Sequence, residues 1–126
     1  MDGLHLTADL GGCDPTRPAM IDVAALRTTC LAAVRASGLT LVGELFHRFP
    51  APGGVTGVVL LAESHLAVHT WPERGAATLD VYVCNLGSDN SARAHAVLAA
   101  LAAAFAPRHV ERHAVQRGTA LAGASR

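Results

Sequence analysis

Four strand-like segments in the middle of the chain are separated by turns of only a few residues. They cover residues 39–49, 55–62, 65–70 and 77–84, with short turns at 50–54 and 72–75. Because a crossover between parallel strands needs about a dozen residues or more, these segments are expected to pair in antiparallel fashion. Residues 77–84 also alternate apolar and polar side chains with a period of two, which is typical of a strand with one buried face.

Two helices are predicted around these strands. Residues 21–37 have apolar side chains at helical spacing, and Gly38 stands where a helix C-terminal glycine belongs. The second helix is expected to begin after Asp89 or Ser91 as its cap, to run to about Ala106, and to end at Pro107.

The sequence therefore predicts an α+β fold. Further strands at residues 5–10 and 110–117 would complete a two-layer sandwich: a largely antiparallel sheet with two helices on one face. The uncovered face would be free to pair with another subunit as a dimer. The residues from Gly118 onward are expected to form a loose tail.

The length and the cysteines limit the organisation and the compartment. A chain of 126 residues is expected to form one domain over 1–126. Its cysteines, Cys13, Cys30 and Cys84, are odd in number and irregularly spaced, which argues against a disulfide framework. The N-terminus lacks the pattern of a signal peptide, and no apolar stretch approaches the ~20 residues of a membrane-spanning helix. We therefore expect a cytoplasmic protein with reduced thiols and no membrane partner.

The charged residues exclude several kinds of chemistry. Ten basic and ten acidic residues give a net charge of zero, which argues against nucleic acid as a partner. All ten basic residues are arginine. Without lysine the chain cannot hold pyridoxal phosphate by the usual Schiff base, and it cannot form a P-loop nucleotide site.

The residues that can carry chemistry are concentrated between positions 61 and 85. Ser64 and His65 follow one apolar strand, and His65 and His69 lie four residues apart on the next strand, so they share a face. His109 and His113 have a spacing seen in metal sites, but no second ligand pair stands near them in the sequence. The sequence therefore predicts no metal site.

Several motifs identify a family resemblance. The segment ESHLAVHTWPE at residues 63–73 is accompanied by HLTADLGGC at 5–13, FHRF at 46–49 and GVTGVVLLAES at 54–64. Over about residues 4–118 the chain resembles the prokaryotic S-adenosylmethionine decarboxylase proenzyme. The resemblance implies self-cleavage between Glu63 and Ser64 into residues 1–63 (the β chain) and 64–126 (the α chain). Ser64 would become a pyruvoyl group, whose ketone would form the Schiff base with the substrate amine without any lysine.

The same resemblance implies roles for three residues in processing and catalysis. His69 corresponds to the histidine that removes a proton during processing. Thr56 stands where the family has a small hydroxyl residue, often serine, that supports the oxyanion of the processing ester. Cys84 corresponds to the acid that protonates the substrate carbon after carbon dioxide leaves.

Three further residues would bind the substrate. Phe49 and Trp71 match the aromatic pair that stacks on adenine, and Glu73 matches the carboxylate that accepts hydrogen bonds from the ribose. The resemblance thus implies decarboxylation of S-adenosylmethionine to the aminopropyl donor of spermidine biosynthesis. It also implies a homodimer of cleaved protomers, because these groups meet across a subunit interface in the family.

Two alternatives remain at this point. A pyruvoyl-dependent enzyme on the same scaffold could decarboxylate a basic amino acid such as arginine or ornithine. The presence of Phe49, Trp71 and Glu73, which serve a nucleoside, argues against that substrate. A non-enzymatic dimer or a histidine-based metal binder is the other alternative, and an uncleaved chain would favour it.

Overall fold

The computed structural model describes residues 2–118, which form six strands and three α-helices. The strands are β1 Gly3–Gly11, β2 Leu41–Arg48, β3 Val55–Leu61, β4 Ser64–Trp71, β5 Ala76–Cys84 and β6 His109–Arg117. The helices are α1 Pro18–Ile21, α2 Val23–Ser37 and α3 Ser91–Phe105, and a single 3-10 turn spans Pro72–Arg74.

All six strands belong to one antiparallel sheet in the order β2-β3-β4-β5-β1-β6. Strands β2 to β5 follow one another as a meander, because each connection is too short to cross the sheet. The N-terminal strand β1 then pairs with β5, and the C-terminal β6 pairs with the free side of β1. The predicted antiparallel sheet is confirmed.

The core lies between one face of the sheet and helices α2 and α3. Helix α2 contacts β2 and β3, and α3 contacts β1 and β5. Every second residue of the central strands is buried against them, as the alternation predicts. Burial of a large side chain such as Leu6, Leu101 or Phe105 contributes roughly 1.5–3 kcal/mol.

The opposite face of the sheet, called the open face below, carries partly exposed side chains. His5, His65, His69, Asp80 and Tyr82 occupy the alternate positions of β1, β4 and β5. No helix within residues 2–118 packs on this face. The predicted two-layer α+β sandwich with helices on one face is therefore confirmed.

The first predicted helix, residues 21–37, is divided near its start into two helices in the structure. Asp22 interrupts the predicted helix because its carboxylate accepts hydrogen bonds from the N–H groups of Ala24 and Ala25, at 2.9 and 3.3 Å. Such an N-cap starts a new helix, so α2 begins at Val23 and a separate short α1 precedes it. The predicted end is correct, since Gly38 adopts the left-handed conformation with φ 82°.

The N-cap of α3, which is the second of the predicted helices, was predicted wrongly. Asn90 is the N-cap residue, and its side chain makes no capping hydrogen bond. The Asp89 carboxylate instead accepts from the N–H of Ser91 at 2.9 Å. Hydrogen bonds from the Ser91 backbone and hydroxyl hold the pKa of Asp89 below its usual value.

The tail that the sequence predicts after Gly118 lies outside the described residues. Among residues 2–118, no helix combines the length and the apolar character needed to span a membrane.

Candidate active site

Ser64 lies at the tight turn between β3 and β4. The last pair of the two strands joins Leu61 to Ser64, so only Ala62 and Glu63 form the turn. Glu63 has φ 53°, a left-handed conformation that costs a residue with a side chain roughly 1–2 kcal/mol. The Glu63–Ser64 peptide bond, which is the predicted cleavage site, thus follows directly on a strained and exposed residue.

Cys84 lies beside Ser64, at the end of the neighbouring strand. The Cys84 backbone N–H donates a hydrogen bond to the Ser64 Oγ at 3.2 Å, and the Cys84 side chain is partly exposed. The Leu86 N–H in turn contacts the Cys84 Sγ at 3.5 Å. The structure therefore brings the predicted pyruvoyl precursor and the predicted proton donor together.

Two asparagines, which the sequence reasoning did not identify, hold the loop after Cys84. The Asn90 side-chain amide donates to the Cys84 carbonyl at 2.9 Å, and the Asn90 N–H donates to the Asn85 side chain at 2.7 Å. Asparagine is common in loops for many reasons, so the sequence carried no specific signal for this arrangement.

A second group of predicted residues surrounds a cavity of about 270 Å³. The Thr56 hydroxyl lies 3.0 Å from His69 Nδ1, across the β3–β4 pair. The His69 and Trp71 rings stack with their centroids 5.9 Å apart and their planes 28° from parallel. The full lining consists of Phe49, Gly53, Gly54, Thr56, His69, Thr70, Trp71 and Glu73.

Thr70, a buried residue that the sequence reasoning missed, fixes the wall of this cavity. Its hydroxyl donates to the Met20 carbonyl and accepts from the Val55 N–H, both at 2.8 Å. Gly54 packs so closely on Thr70 that a Cβ would collide with the Thr70 carbonyl oxygen. Only the periodic burial of β4 could have marked Thr70, and that pattern does not distinguish a pocket wall from ordinary core.

The two groups lie at opposite ends of β4. His69 follows Ser64 by five residues on the same strand, which corresponds to about 16 Å at ~3.3 Å per residue. Within one chain the predicted processing histidine is therefore far out of hydrogen-bonding range of the serine. The structure assembles Ser64 with Cys84, and Thr56 with His69, Phe49, Trp71 and Glu73, but it does not bring the two groups together.

The other two cysteines are buried away from both groups. Burial raises the pKa of the Cys30 thiol to about 12 and also raises that of Cys13. All three cysteines are free. Cys84 is therefore the one cysteine positioned to meet a small molecule at the surface of residues 2–118.

Comparisons with known proteins identify the family of this chain. The family model described as S-adenosylmethionine decarboxylase matches residues 4–118. The S-adenosylmethionine decarboxylase proenzyme of Parasynechococcus marenigrum is 49% identical over 84 residues, which cover 67% of this chain and 63% of that protein. The proenzyme of Aquifex aeolicus is 38% identical over 117 residues, covering 92% of this chain and 81% of that protein.

A solved structure has the same fold. The crystal structure of the adenosylmethionine decarboxylase from Aquifex aeolicus matches with a TM-score of 0.78 at 35% sequence identity. The match covers 90% of this chain and 88% of that one. The family resemblance predicted from the motifs is confirmed.

Proposed function

This chain belongs to the S-adenosylmethionine decarboxylase family, and on that premise we propose that it decarboxylates S-adenosylmethionine through a pyruvoyl group made from its own Ser64. The product would be the aminopropyl donor of spermidine biosynthesis. The observation that carries the proposal is the pairing of Ser64 with Cys84 at a strained two-residue turn. The three free cysteines support a reducing cytoplasmic location.

Self-cleavage would begin at the turn. The Ser64 hydroxyl attacks the Glu63 carbonyl carbon and moves the acyl group from nitrogen to oxygen, giving an ester. The left-handed Glu63 favours this step, because the shift releases part of its ~1–2 kcal/mol of strain. His69 would then remove the Ser64 α-proton so that the ester is eliminated, and hydrolysis with loss of ammonia leaves a ketone on residue 64. The products would be residues 1–63 and 64–126.

The position of His69 implies that this site is shared between two chains. A histidine about 16 Å from the serine along β4 cannot act on it within the same chain. We infer a dimer in which two open faces pack together and place His69 and Thr56 of one chain beside Ser64 and Cys84 of the other. The uncovered, partly apolar face supports this pairing, with Leu45, Leu60 and Val115 exposed on it.

The cavity would hold the nucleoside part of the substrate. Phe49 and Trp71 are large aromatic side chains left 46% and 39% exposed at its rim, and a stacked adenine would cover them. Glu73 at the same rim could accept hydrogen bonds from the ribose hydroxyls. At about 270 Å³ the cavity is slightly below the ~300–1,000 Å³ of typical ligand pockets. The amino-acid part would therefore extend out of it, toward the Ser64 group of the other chain.

The reaction itself would draw on Cys84. The pyruvoyl group supplies a carbonyl for the substrate amine and accepts the electrons left by carbon dioxide. Cys84, whose backbone N–H contacts Ser64, would deliver a proton from its Sγ to the substrate carbon. The Asn90 and Asn85 hydrogen bonds would keep the Cys84 backbone in place for that transfer.

Release of carbon dioxide from three carboxyl-labelled substrates tests the proposed activity. The purified protein, after incubation to complete cleavage, is assayed in parallel with S-adenosylmethionine, arginine and ornithine. We expect turnover of S-adenosylmethionine alone, no turnover by Ser64→Ala, and unchanged turnover by Ser88→Ala, an exposed loop serine that serves as the control. Turnover of arginine or ornithine without S-adenosylmethionine would contradict the substrate, and a cleaved protein inactive on all three would contradict the activity.

A further inference from the structure

Three potential metal ligands without an assigned role converge on the open face, and one of them, His65, directly follows Ser64. His5 on β1 and His65 on β4 both lie directly across from Tyr82 of β5, and Asp80 lies two residues before Tyr82. The Asp80 Oδ1 is 3.3 Å from His65 Nε2 and 3.8 Å from His5 Nε2. One ligand atom from each of the three residues fits within 4.8 Å of the other two.

Two of the three separations are close to those around a tetrahedral metal ion, and the third, between the two histidine ligand nitrogens, is within 4.8 Å. With metal–ligand bonds of ~2.0–2.1 Å, neighbouring ligand atoms lie roughly 3.3–3.4 Å apart. The 3.3 Å pair already has that separation, and the 3.8 Å pair needs only a small adjustment. Two imidazole nitrogens and a carboxylate form a donor set suited to zinc and its first-row neighbours.

Two of the three ligand atoms make no hydrogen bond. His5 Nε2 and Asp80 Oδ1 are both buried, and within residues 2–118 neither has a hydrogen bond of acceptable geometry, although Asp80 Oδ1 lies within ion-pair distance of both histidines. A buried polar atom without a partner costs about 1–3 kcal/mol, and a bound cation would remove that cost at both atoms at once. We propose that His5, His65 and Asp80 bind a divalent transition-metal ion of the zinc class, with a fourth position left for water.

Arg117 competes with the metal ion for His5. Its guanidinium Nη1 lies 3.3 Å from His5 Nδ1. A guanidinium only donates hydrogen bonds, so His5 Nδ1 accepts and the ring proton is on Nε2. Metal binding through Nε2 requires the other tautomer, and the positive charge of Arg117 also opposes a cation. The Arg117 side chain is exposed within a single chain and would have to move away from His5 for the ion to bind, so its removal should strengthen metal binding.

The metal site does not depend on the proposed decarboxylase activity. All three ligands belong to one chain, and none of them takes part in the proposed cleavage or in substrate binding. Failure of the metal experiment would therefore leave the proposed function untouched, and the reverse also holds.

Equilibrium dialysis of the purified protein against Zn²⁺, together with the visible spectrum of added Co²⁺, tests the proposal. We expect one ion per chain and a Co²⁺ spectrum typical of four-coordinate nitrogen and oxygen ligation. Asp80→Asn and His65→Ala should each weaken Zn²⁺ binding by about tenfold or more, whereas Arg117→Ala should strengthen it. His113→Ala is the matched control, because His113 lies beside the carboxylate of Glu111 at 3.5 Å but outside the cluster.

The outcomes separate a built site from surface histidines. Equal Zn²⁺ binding by the wild-type protein and by the triple variant His5→Ala, His65→Ala, Asp80→Asn would overturn the proposal. An equal loss of affinity in His113→Ala, or a weaker site in Arg117→Ala, would also overturn it. Circular dichroism shows which variants fold; should Asp80→Asn fail to fold, the wild-type Co²⁺ spectrum decides, since an unchanged aqueous spectrum contradicts the site.

Discussion

Two inactive variants should restore cleavage when they share a dimer. Ser64→Ala removes the nucleophile and His69→Ala removes the proposed processing base, so each variant alone should remain one chain of 126 residues. The two side chains stand about 16 Å apart along β4 of one chain. If the site is shared between chains, a mixed dimer contains one site with both Ser64 and His69 intact.

The size of the effect follows from random pairing. Co-expression of the two variants at equal levels gives mixed dimers in about half of the dimers. In each mixed dimer only the His69→Ala chain keeps its serine, and it meets the intact His69 of the other chain. About half of the His69→Ala chains should therefore be cleaved, or about a quarter of all chains, and no Ser64→Ala chain should be cut.

Mass spectrometry of the co-expressed pair, with an affinity tag on one variant, measures these fractions. The control pairs His69→Ala with the double variant Ser64→Ala, His69→Ala, which supplies no histidine and should give no cleavage. Isolated mixed dimers that stay uncut would refute the shared site. Efficient cleavage of His69→Ala alone would refute the assigned role of His69.

Cys84, Trp71 and Cys30 can each be tested separately. Cys84→Ala should leave cleavage intact and lower kcat about 100-fold or more, as expected for loss of a general acid; an unchanged kcat would contradict its role. Trp71→Ala should raise KM for S-adenosylmethionine about 2–10-fold, the equivalent of one aromatic stack, and an unchanged KM would exclude the stacking. Because burial raises the pKa of Cys30 to about 12 from 9.0, a thiol reagent at pH 8 should modify Cys84 long before Cys30, as peptide mapping would show. This folded-state pKa lies above that of the unfolded chain. The stability that the neutral Cys30 thiol contributes is therefore fully present below pH 9 and is lost as the pH rises toward 12. Urea denaturation at several pH values can follow this loss.

The fold was predictable to the extent that periodicity and turn length determine it. Short turns forced the β2–β5 meander, and alternation of side chains identified the buried face. The break at Asp22 was missed because an aspartate inside an apolar pattern is read as a helical residue until its carboxylate is seen capping the next turn. The choice of Asn90 over Asp89 as a cap depended on a hydrogen bond between Asp89 and Ser91, which sequence spacing alone does not decide.

The arrangement of the candidate site could not be predicted from the sequence. The family resemblance implied roles for Ser64, His69 and Cys84, and these roles stay predictions, but a list of residues does not show that the histidine and the serine stand at opposite ends of one strand. The metal cluster had no signal in the sequence, because His5, His65 and Asp80 come from three strands that are neighbours only in the folded sheet. Ligands so far apart in the chain lack the short spacing by which metal motifs are found.

Because every proposed catalytic role depends on the cut before Ser64, the intact mass of the purified protein after incubation is the decisive measurement. We expect two fragments, residues 1–63 and 64–126, and the second should be roughly 17 Da lighter than the unmodified peptide 64–126, because its N-terminal serine loses ammonia. The second fragment should also be blocked to N-terminal sequencing. A single stable chain of 126 residues after long incubation would show that no pyruvoyl group forms and that the proposed reaction cannot take place.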